Sequence, residues 1–92
     1  MDEARFPIGA VVATPGALDA FSRTGEVPIK FLRRHVAGDW GELDQADMAE
    51  NDRSVEQGFR ILSAYHLKDG TKIWVITEAD RSSTCDLMPE EY

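Results

Sequence analysis

Two segments rich in β-branched and aromatic residues, 59–67 and 71–78, flank a turn at Lys68-Asp69-Gly70. Such a pattern around an Asp-Gly pair predicts a β-hairpin. A three-residue loop with Gly70 in the left-handed conformation pairs Tyr65 with Ile73. A two-residue loop would instead pair apolar residues with charged ones, so we expect the longer loop.

The predicted register gives the hairpin two different faces, because successive side chains of a strand point to opposite sides. The first face is apolar and carries Phe59, Ile61, Tyr65, Ile73 and Val75. The second face carries an ion pair between Arg60 and Glu78 and a second apolar group: Leu62, Ala64, Trp74 and Ile76. Since this group is too apolar to lie in water, we expect it to be covered by upstream elements or by a second copy in a homodimer.

The segment before the hairpin predicts one strand and two helices. The apolar run 6–13 is typical of a short buried strand. Thr14 and Pro15 are a helix N-cap and first residue, and Gly25 ends that helix, with Leu18 and Phe21 as its buried stripe. A second helix begins near Pro28 and runs to about Val36. Its shared apolar face is Ile29, Leu32 and Val36.

A third helix is predicted over 45–57, with Asp44 as its N-cap and Gly58 after its end. Leu43 and Met48 are spaced as a hydrophobic staple. After the hairpin, residues 84–88 predict a third strand that returns antiparallel to the second. The predicted fold is therefore α+β, with a short N-terminal strand, two to three helices and a C-terminal antiparallel three-stranded β-meander, in a single domain over residues 1–92.

Composition adds a strong negative charge to this picture. The 92-residue chain has a net charge of −7. Residues 39–57 alone hold seven acidic residues against one arginine. An acidic surface of this kind disfavours nucleic-acid binding, which needs a broad basic surface. The single cysteine, Cys85, excludes an internal disulfide, and no segment resembles a signal peptide or a membrane span. We therefore expect a cytoplasmic protein that binds neither membrane nor nucleic acid.

The acidic segment is the candidate partner-binding surface. A host protein with a basic surface would be its natural partner, by charge complementarity. The alternative interpretation is that the acidic surface only keeps the protein soluble. The candidate partner-binding residues are Asp39, Trp40, Glu42, Asp44, Asp47 and Glu50. For Trp40 the alternative is packing on the body of the domain, which is the commoner position of a tryptophan held by a loop.

A second candidate site lies in the connection after the hairpin. If the protein were an enzyme, Asp80 and Arg81 could orient a substrate, with Glu78 as a base and His35 as a further catalytic group. The same residue types also form ordinary turns, which is the interpretation that we favour. Neither histidine has a Cys or His at metal-ligand spacing, and no nucleotide-binding motif occurs, so we expect no metal and no cofactor.

Three basic residues, Lys30, Arg33 and Arg34, lie on one side of the predicted second helix. They could contact DNA phosphates, which would make the protein a weak DNA-binding regulator. Three charges give little affinity at physiological salt. We therefore expect these residues to pair mainly with the acidic segments of the same molecule, 39–57 and 78–92.

Several motifs together resemble a family of small bacterial proteins carried on plasmids and integrative elements, often labelled plasmid-related proteins or type I restriction subunit M. The motifs are Phe6-Pro-Ile-Gly9, Val12-Ala-Thr-Pro-Gly-Ala-Leu18, Arg34-His35, Gly38-Asp-Trp-Gly-Glu-Leu43, Leu62-Ser-Ala-Tyr65, Gly70-Thr-Lys-Ile-Trp-Val-Ile-Thr-Glu-Ala-Asp-Arg-Ser82 and Leu87-Met-Pro-Glu-Glu-Tyr92. The methyltransferase label does not suit this chain, because 92 residues cannot hold that fold and the glycine-rich cofactor loop is missing.

The resemblance implies an accessory protein of mobile DNA and assigns no catalytic residue. Together with the charge, it suggests a non-enzymatic protein-interaction module that inhibits a nucleic-acid-binding defence system of the host, of restriction or CRISPR type. The alternative is a small enzyme or toxin-like nuclease with a site near Asp80 and Arg81.

Overall fold

The computed structural model describes residues 4–92, which form three α-helices, four β-strands and a short 3-10 turn. The elements in chain order are β1 (Ala10–Ala13), α1 (Pro15–Thr24), α2 (Pro28–Val36), α3 (Gln45–Gln57), β2 (Ile61–His66), β3 (Lys72–Thr77), β4 (Ser83–Leu87) and the 3-10 turn Pro89–Glu91. The predicted α+β class is confirmed, with all three predicted helices present.

The predicted hairpin is confirmed in its register. In the antiparallel pair of β2 and β3, Tyr65 lies opposite Ile73. Gly70 has a φ of 87°, and the backbone N–H of Leu67 donates to the Thr71 carbonyl, which closes the three-residue loop. β4 pairs antiparallel with β3, as the predicted meander requires. The alternation of side chains along the hairpin was therefore sufficient to predict this part of the sheet.

The N-terminal strand differs from the prediction. It joins the same sheet, parallel to β4, so that the sheet has four strands in the order β1-β4-β3-β2. The expectation of a buried strand over 6–13 was wrong: β1 holds four residues at the edge of the sheet, and Val11 and Val12 are 45 % and 50 % exposed. Gly9 precedes β1 with a φ of 62°, and a Cβ there would lie 2.3 Å from the Ser82 carbonyl oxygen.

Helices α1 and α2 contribute to the main hydrophobic core together with the first face of the hairpin. This core contains Ala17, Ala20, Phe21, Phe31, Leu32, Tyr65, Leu67, Ile73 and Val75. The predicted buried positions Leu18 and Ile29 are wrong, because both side chains are more than half exposed. Small alanines take the inner side of α1 instead, and they let a helix approach its neighbours closely.

A second hydrophobic cluster surrounds Trp40, which is 3 % exposed and packs with Phe6 and Ile61. Leu43 and Met48, the predicted staple pair, both pack against this cluster. Side chains of α3 thus contact the body of the protein at this cluster.

Two predictions for the start of the hairpin are wrong. Phe59 is 52 % exposed rather than buried. Arg60 does not pair with Glu78, since its guanidinium donates to the Tyr92 hydroxyl and lies over that ring. Both residues precede the first residue of β2, Ile61, where the alternation of the strand does not yet apply.

Candidate functional site

The outer edge of β2 is closed by residues of the loop before α3. Gly41 forms a parallel bridge with Ala64, whose N–H donates to the Trp40 carbonyl and whose carbonyl accepts from the Glu42 N–H at 2.7 Å. The side chain of Asn51 closes the next position: its amide donates to the Leu62 carbonyl at 2.7 Å and its oxygen accepts from the Leu62 N–H at 3.3 Å. These contacts fix α3 beside the second face of the hairpin.

A groove of about 460 Å³ lies between α3 and the second face. Its apolar lining residues are Leu43, Leu62, Ala64 and Trp74, and its polar and charged ones are Glu42, Asp47, Glu50, Asn51, Ser54, Arg60 and Lys72. We call this cavity the α3 groove. Tyr92 packs edge-on against Trp74 at a centroid distance of 5.8 Å. The second face is thus covered in part from within the chain, and the α3 groove is the part that stays accessible.

The two walls of the α3 groove carry opposite charges. Glu42, Asp47 and Glu50 belong to the wall formed by α3 and its preceding loop, and Arg60 and Lys72 belong to the sheet wall. Glu50 pairs with Arg53 on the same helix, and the Glu42 carboxylate lies 3.8 Å from His66 Nδ1. The groove can therefore hold an apolar group on its floor while it orients a cation toward α3.

Only part of the candidate partner-binding set lies at this groove. The expectation that Trp40 is presented to a partner was wrong, because Trp40 is buried and its indole N–H donates to Asp52 at 3.1 Å. Asp39 is engaged within the chain by Arg34 at 2.7 Å, and this hydrogen bond lowers the pKa of Asp39. Asp44 accepts from the Asp47 N–H as the predicted N-cap of α3. The accessible acids of the groove are Glu42, Asp47 and Glu50.

The four candidate catalytic residues do not form a site. The guanidinium of Arg81 donates to the carbonyls of Phe59 and Ser54, and Asp80 accepts from the Ser82 N–H. Hydrogen bonding from the Ser82 side chain and backbone lowers the pKa of Asp80. Both residues thus serve the turn, as we favoured from the sequence. His35 is fully buried, whereas Glu78 is exposed. None of the four lines the α3 groove.

His35 instead belongs to a buried hydrogen-bond chain. Its Nδ1 lies 2.5 Å from the Ser63 hydroxyl and its Nε2 lies 2.9 Å from the Thr77 hydroxyl. The Thr77 and Thr84 hydroxyls are 2.7 Å apart, and Thr84 donates to the Ile8 carbonyl. Because Thr84 uses its proton on Ile8, Thr77 must donate to Thr84, and His35 must donate from Nε2 to Thr77. This row of hydrogen bonds therefore fixes His35 as the Nε2–H tautomer. It connects α2 to β4.

We expect His35 to stay neutral down to about pH 4, because burial lowers its pKa to about 4. ¹⁵N NMR of the imidazole should show a protonated Nε2 and an unprotonated Nδ1 at pH 7. A protonated Nδ1 would contradict the donor and acceptor directions assigned to these hydrogen bonds. A His35 that titrates near pH 6.5 would contradict its lowered pKa.

The expected pairing of the basic residues with the acidic segments is confirmed for Arg34 alone of the three, which pairs with Asp39. Lys30 pairs instead with Glu26, just before α2, at 3.1 Å. Arg33 is exposed on α2. With two of its cations engaged inside the molecule, α2 offers little charge for binding DNA phosphates.

Within residues 4–92, no group of three His, Cys, Asp or Glu side chains is placed to hold a metal ion. Cys85 is partly buried, and this burial raises the pKa of its thiol, which disfavours a nucleophilic thiolate. None of the helices in the described part of the chain has the length and apolar character needed to cross a membrane.

The groove combines expected and unexpected residues. The second face and the acidic helix were both predicted, but Asn51 was not recognised as the residue that joins them. Its polarity on a mainly polar helix gave no signal, since its function depends on the neighbouring edge of β2. Searches with the chain found no matching family model, no matching curated protein and no matching solved structure.

Proposed function

We propose that the protein is a non-enzymatic protein-interaction module that binds a basic segment of a host protein in the α3 groove. The observation that carries this proposal is the acidic wall of Glu42, Asp47 and Glu50 beside an apolar floor that holds Trp74. A basic segment would place its cationic side chain between the acids and an apolar group on the floor. A cation near an indole gains further attraction when it is partly desolvated.

The charge of the segment around the groove supports the same partner. Residues 39–57 have a net charge of −6, and within residues 4–92 the ion pairs with Arg5, Arg34 and Arg53 engage three of their seven acids. The uncompensated charge would speed association with a basic surface and make the binding sensitive to salt. A protein that normally holds nucleic acid presents such a surface.

The biological setting of the proposal comes from the family resemblance. An accessory protein of plasmids and integrative elements in the bacterial cytoplasm would gain from blocking a restriction or CRISPR-type system of its host. Occupying the nucleic-acid-binding surface of that system requires no catalysis. This suits a chain whose candidate catalytic residues Asp80 and Arg81 are engaged in a turn and whose His35 is buried in the core.

Charge reversal at the groove is expected to abolish capture of the host partner. We would compare a Glu42→Lys/Asp47→Lys variant with a Glu78→Lys/Glu90→Lys variant, which changes the net charge equally at exposed residues outside the groove. Pull-down from host lysate followed by mass spectrometry is the measurement. Recovery of a basic, nucleic-acid-binding protein by the wild type and the control, but not by the groove variant, is the expected result.

Equal loss in both variants would show that only total charge matters, which would remove the groove from the proposal. Equal recovery by all three proteins would leave the acidic wall without a role in binding. Circular dichroism of each variant would show whether it keeps its fold.

A further inference from the structure

The outer edge of β1 is an open strand edge. The N–H groups of Ala10 and Thr14 donate to the carbonyls of Ser82 and Asp86. The backbone N–H and C=O groups of the even-numbered residues of β1 therefore point toward β4. By alternation, Val11 and Ala13 direct theirs away from the sheet. Among the described residues, β4 is the only strand that pairs with β1. The backbone groups of Val11 and Ala13 are thus available to another strand.

Proteins usually block strand addition with very short edge strands, prolines, charged side chains, bulges or a covering loop. β1 is short, with four residues, but its residue types do not block pairing. Ala10–Ala13 contains none of these residue types, and Val11 and Val12 are about half exposed on opposite faces. The opposite edge of the sheet is protected, because the segment at Gly41 and the Asn51 side chain pair with the outward backbone groups of β2. The sheet therefore has one open edge and one closed edge.

We propose that β1 pairs antiparallel with β1 of a second copy, which joins the two sheets into one of eight strands. Charge permits a second copy at this edge: residues 6–18 include no charged side chain, in a chain that is 29 % charged, and the Glu91 carboxylate that lies against this segment is hydrogen-bonded by Thr14 and Gly16. The acidic α3 contacts β2, at the far edge of the sheet. Two copies that meet through β1 keep their acidic surfaces apart. Because the β2 edge is closed, association stops at a two-fold dimer.

The pattern of free backbone groups determines the register. In an antiparallel pair, residues with outward backbone groups must face each other, so Val11 and Ala13 can pair only with odd-numbered residues. The register that uses all of β1 places Val11 opposite Ala13 and Val12 opposite Val12 of the other copy. The two Val12 residues then form a non-hydrogen-bonded pair on the symmetry axis, with Cα atoms about 4.5 Å apart.

Disulfide trapping tests this register directly. In a Cys85→Ser background, Val12→Cys should form a covalent dimer under mild oxidation, because its Cα separation suits a disulfide. Val11→Cys is the matched control, since its counterpart is displaced by two residues along the strand and should crosslink far more slowly. Equal crosslinking by both variants, or none by either, would overturn the proposed pairing.

The association itself is tested without cysteines. Sedimentation equilibrium of the wild type should show a monomer–dimer equilibrium. Val12→Lys places like charges opposite each other and should raise the dissociation constant at least about tenfold. Ile29→Lys, an equal charge change on exposed α2, should leave it unchanged. A wild type that stays monomeric at millimolar concentration would overturn the proposal and indicate that the edge serves another kind of partner. This dimer does not depend on the function proposed for the α3 groove.

Discussion

Replacing Asp86 with asparagine is expected to stabilise the protein at pH 8 and to leave its stability near pH 4 almost unchanged. Asp86 is fully buried on β4, and neither carboxylate oxygen has a hydrogen-bond partner in the described part of the chain. Burial raises its pKa to about 7. Above that pH the folded protein holds an unpaired buried charge, which Asp86→Asn removes while keeping the size of the side chain.

The sign of the effect follows from proton binding. Between pH 3.8, the ordinary pKa of this carboxyl, and pH 7, the folded state binds a proton that the unfolded state has released. The stability of the folded state therefore falls as pH rises through this window, by at most about 4 kcal/mol in total. His35 acts in the opposite direction, because its lowered pKa makes stability fall as pH drops from 6.5 to about 4. The two groups partly cancel in the wild type.

Urea unfolding of the wild type and Asp86→Asn between pH 4 and pH 8 measures this effect. The difference in unfolding free energy should grow as pH rises and become constant above about pH 7, at about 2 to 4 kcal/mol in favour of the variant. In the variant, the pH dependence that comes from His35 should remain, so its unfolding free energy should rise from pH 4 to pH 6.5. A difference that does not change with pH would contradict the assigned state of Asp86.

The second large effect is expected at Gly41. This residue has a φ of 76°, and a Cβ there would lie 2.0 Å from the Ala64 carbonyl oxygen, a backbone atom that cannot rotate away. Gly41→Ala must therefore break the pairing of its segment with β2 and loosen the loop that holds Trp40 in its cluster. We expect a loss of about 3 kcal/mol or more in unfolding free energy.

Gly58→Ala is the matched control. Gly58 has nearly the same φ, 77°, but an added Cβ meets no atom within 4 Å. Its expected cost is about 1 to 2 kcal/mol, from the left-handed conformation alone. The excess cost at Gly41, measured by urea unfolding of both variants, isolates the close approach to β2. Equal costs would show that the contact between the loop and the β2 edge is not rigid.

Local features of the sequence were sufficient to predict most of the element boundaries. Thr14 accepts from the Ala17 N–H and Asp44 from the Asp47 N–H, as N-caps should. Gly25 ends α1 in the left-handed conformation. The hairpin register followed from alternation and one turn. Each of these depends on contacts between residues close in the chain, which are visible in a single sequence.

Features that depend on distant contacts were not predictable in this way. Leu18 and Ile29 were expected inside because they are large and apolar, but alanines and His35 took inner positions. Which residues lie inside depends on how closely the helices fit the core. His35 can lie inside because the hydroxyl groups of Ser63 and Thr77 hydrogen-bond to its imidazole. The parallel pairing of β1 with β4 is equally non-local.

The candidate site was predicted in part for the same reason. The acidic composition of α3 identified Glu42, Asp47 and Glu50, and alternation placed Trp74 on the second face. The groove arises only because Asn51 and Gly41 attach to the edge of β2. Trp40 packs on the body of the protein, as expected of a tryptophan held by a loop, and only its place in the partner-binding set was wrong.

Site-specific photo-crosslinking in host cells tests the central claim, that a basic segment of a host protein occupies the α3 groove. p-Benzoylphenylalanine would replace Lys72, which lines the groove without belonging to its acidic wall, and, as the control, the exposed Glu90. We predict that irradiation joins the Lys72 position to one host protein through a peptide rich in arginine or lysine, and that the Glu90 position gives no such adduct. The same adducts from both positions, or none from the groove, would contradict the claim.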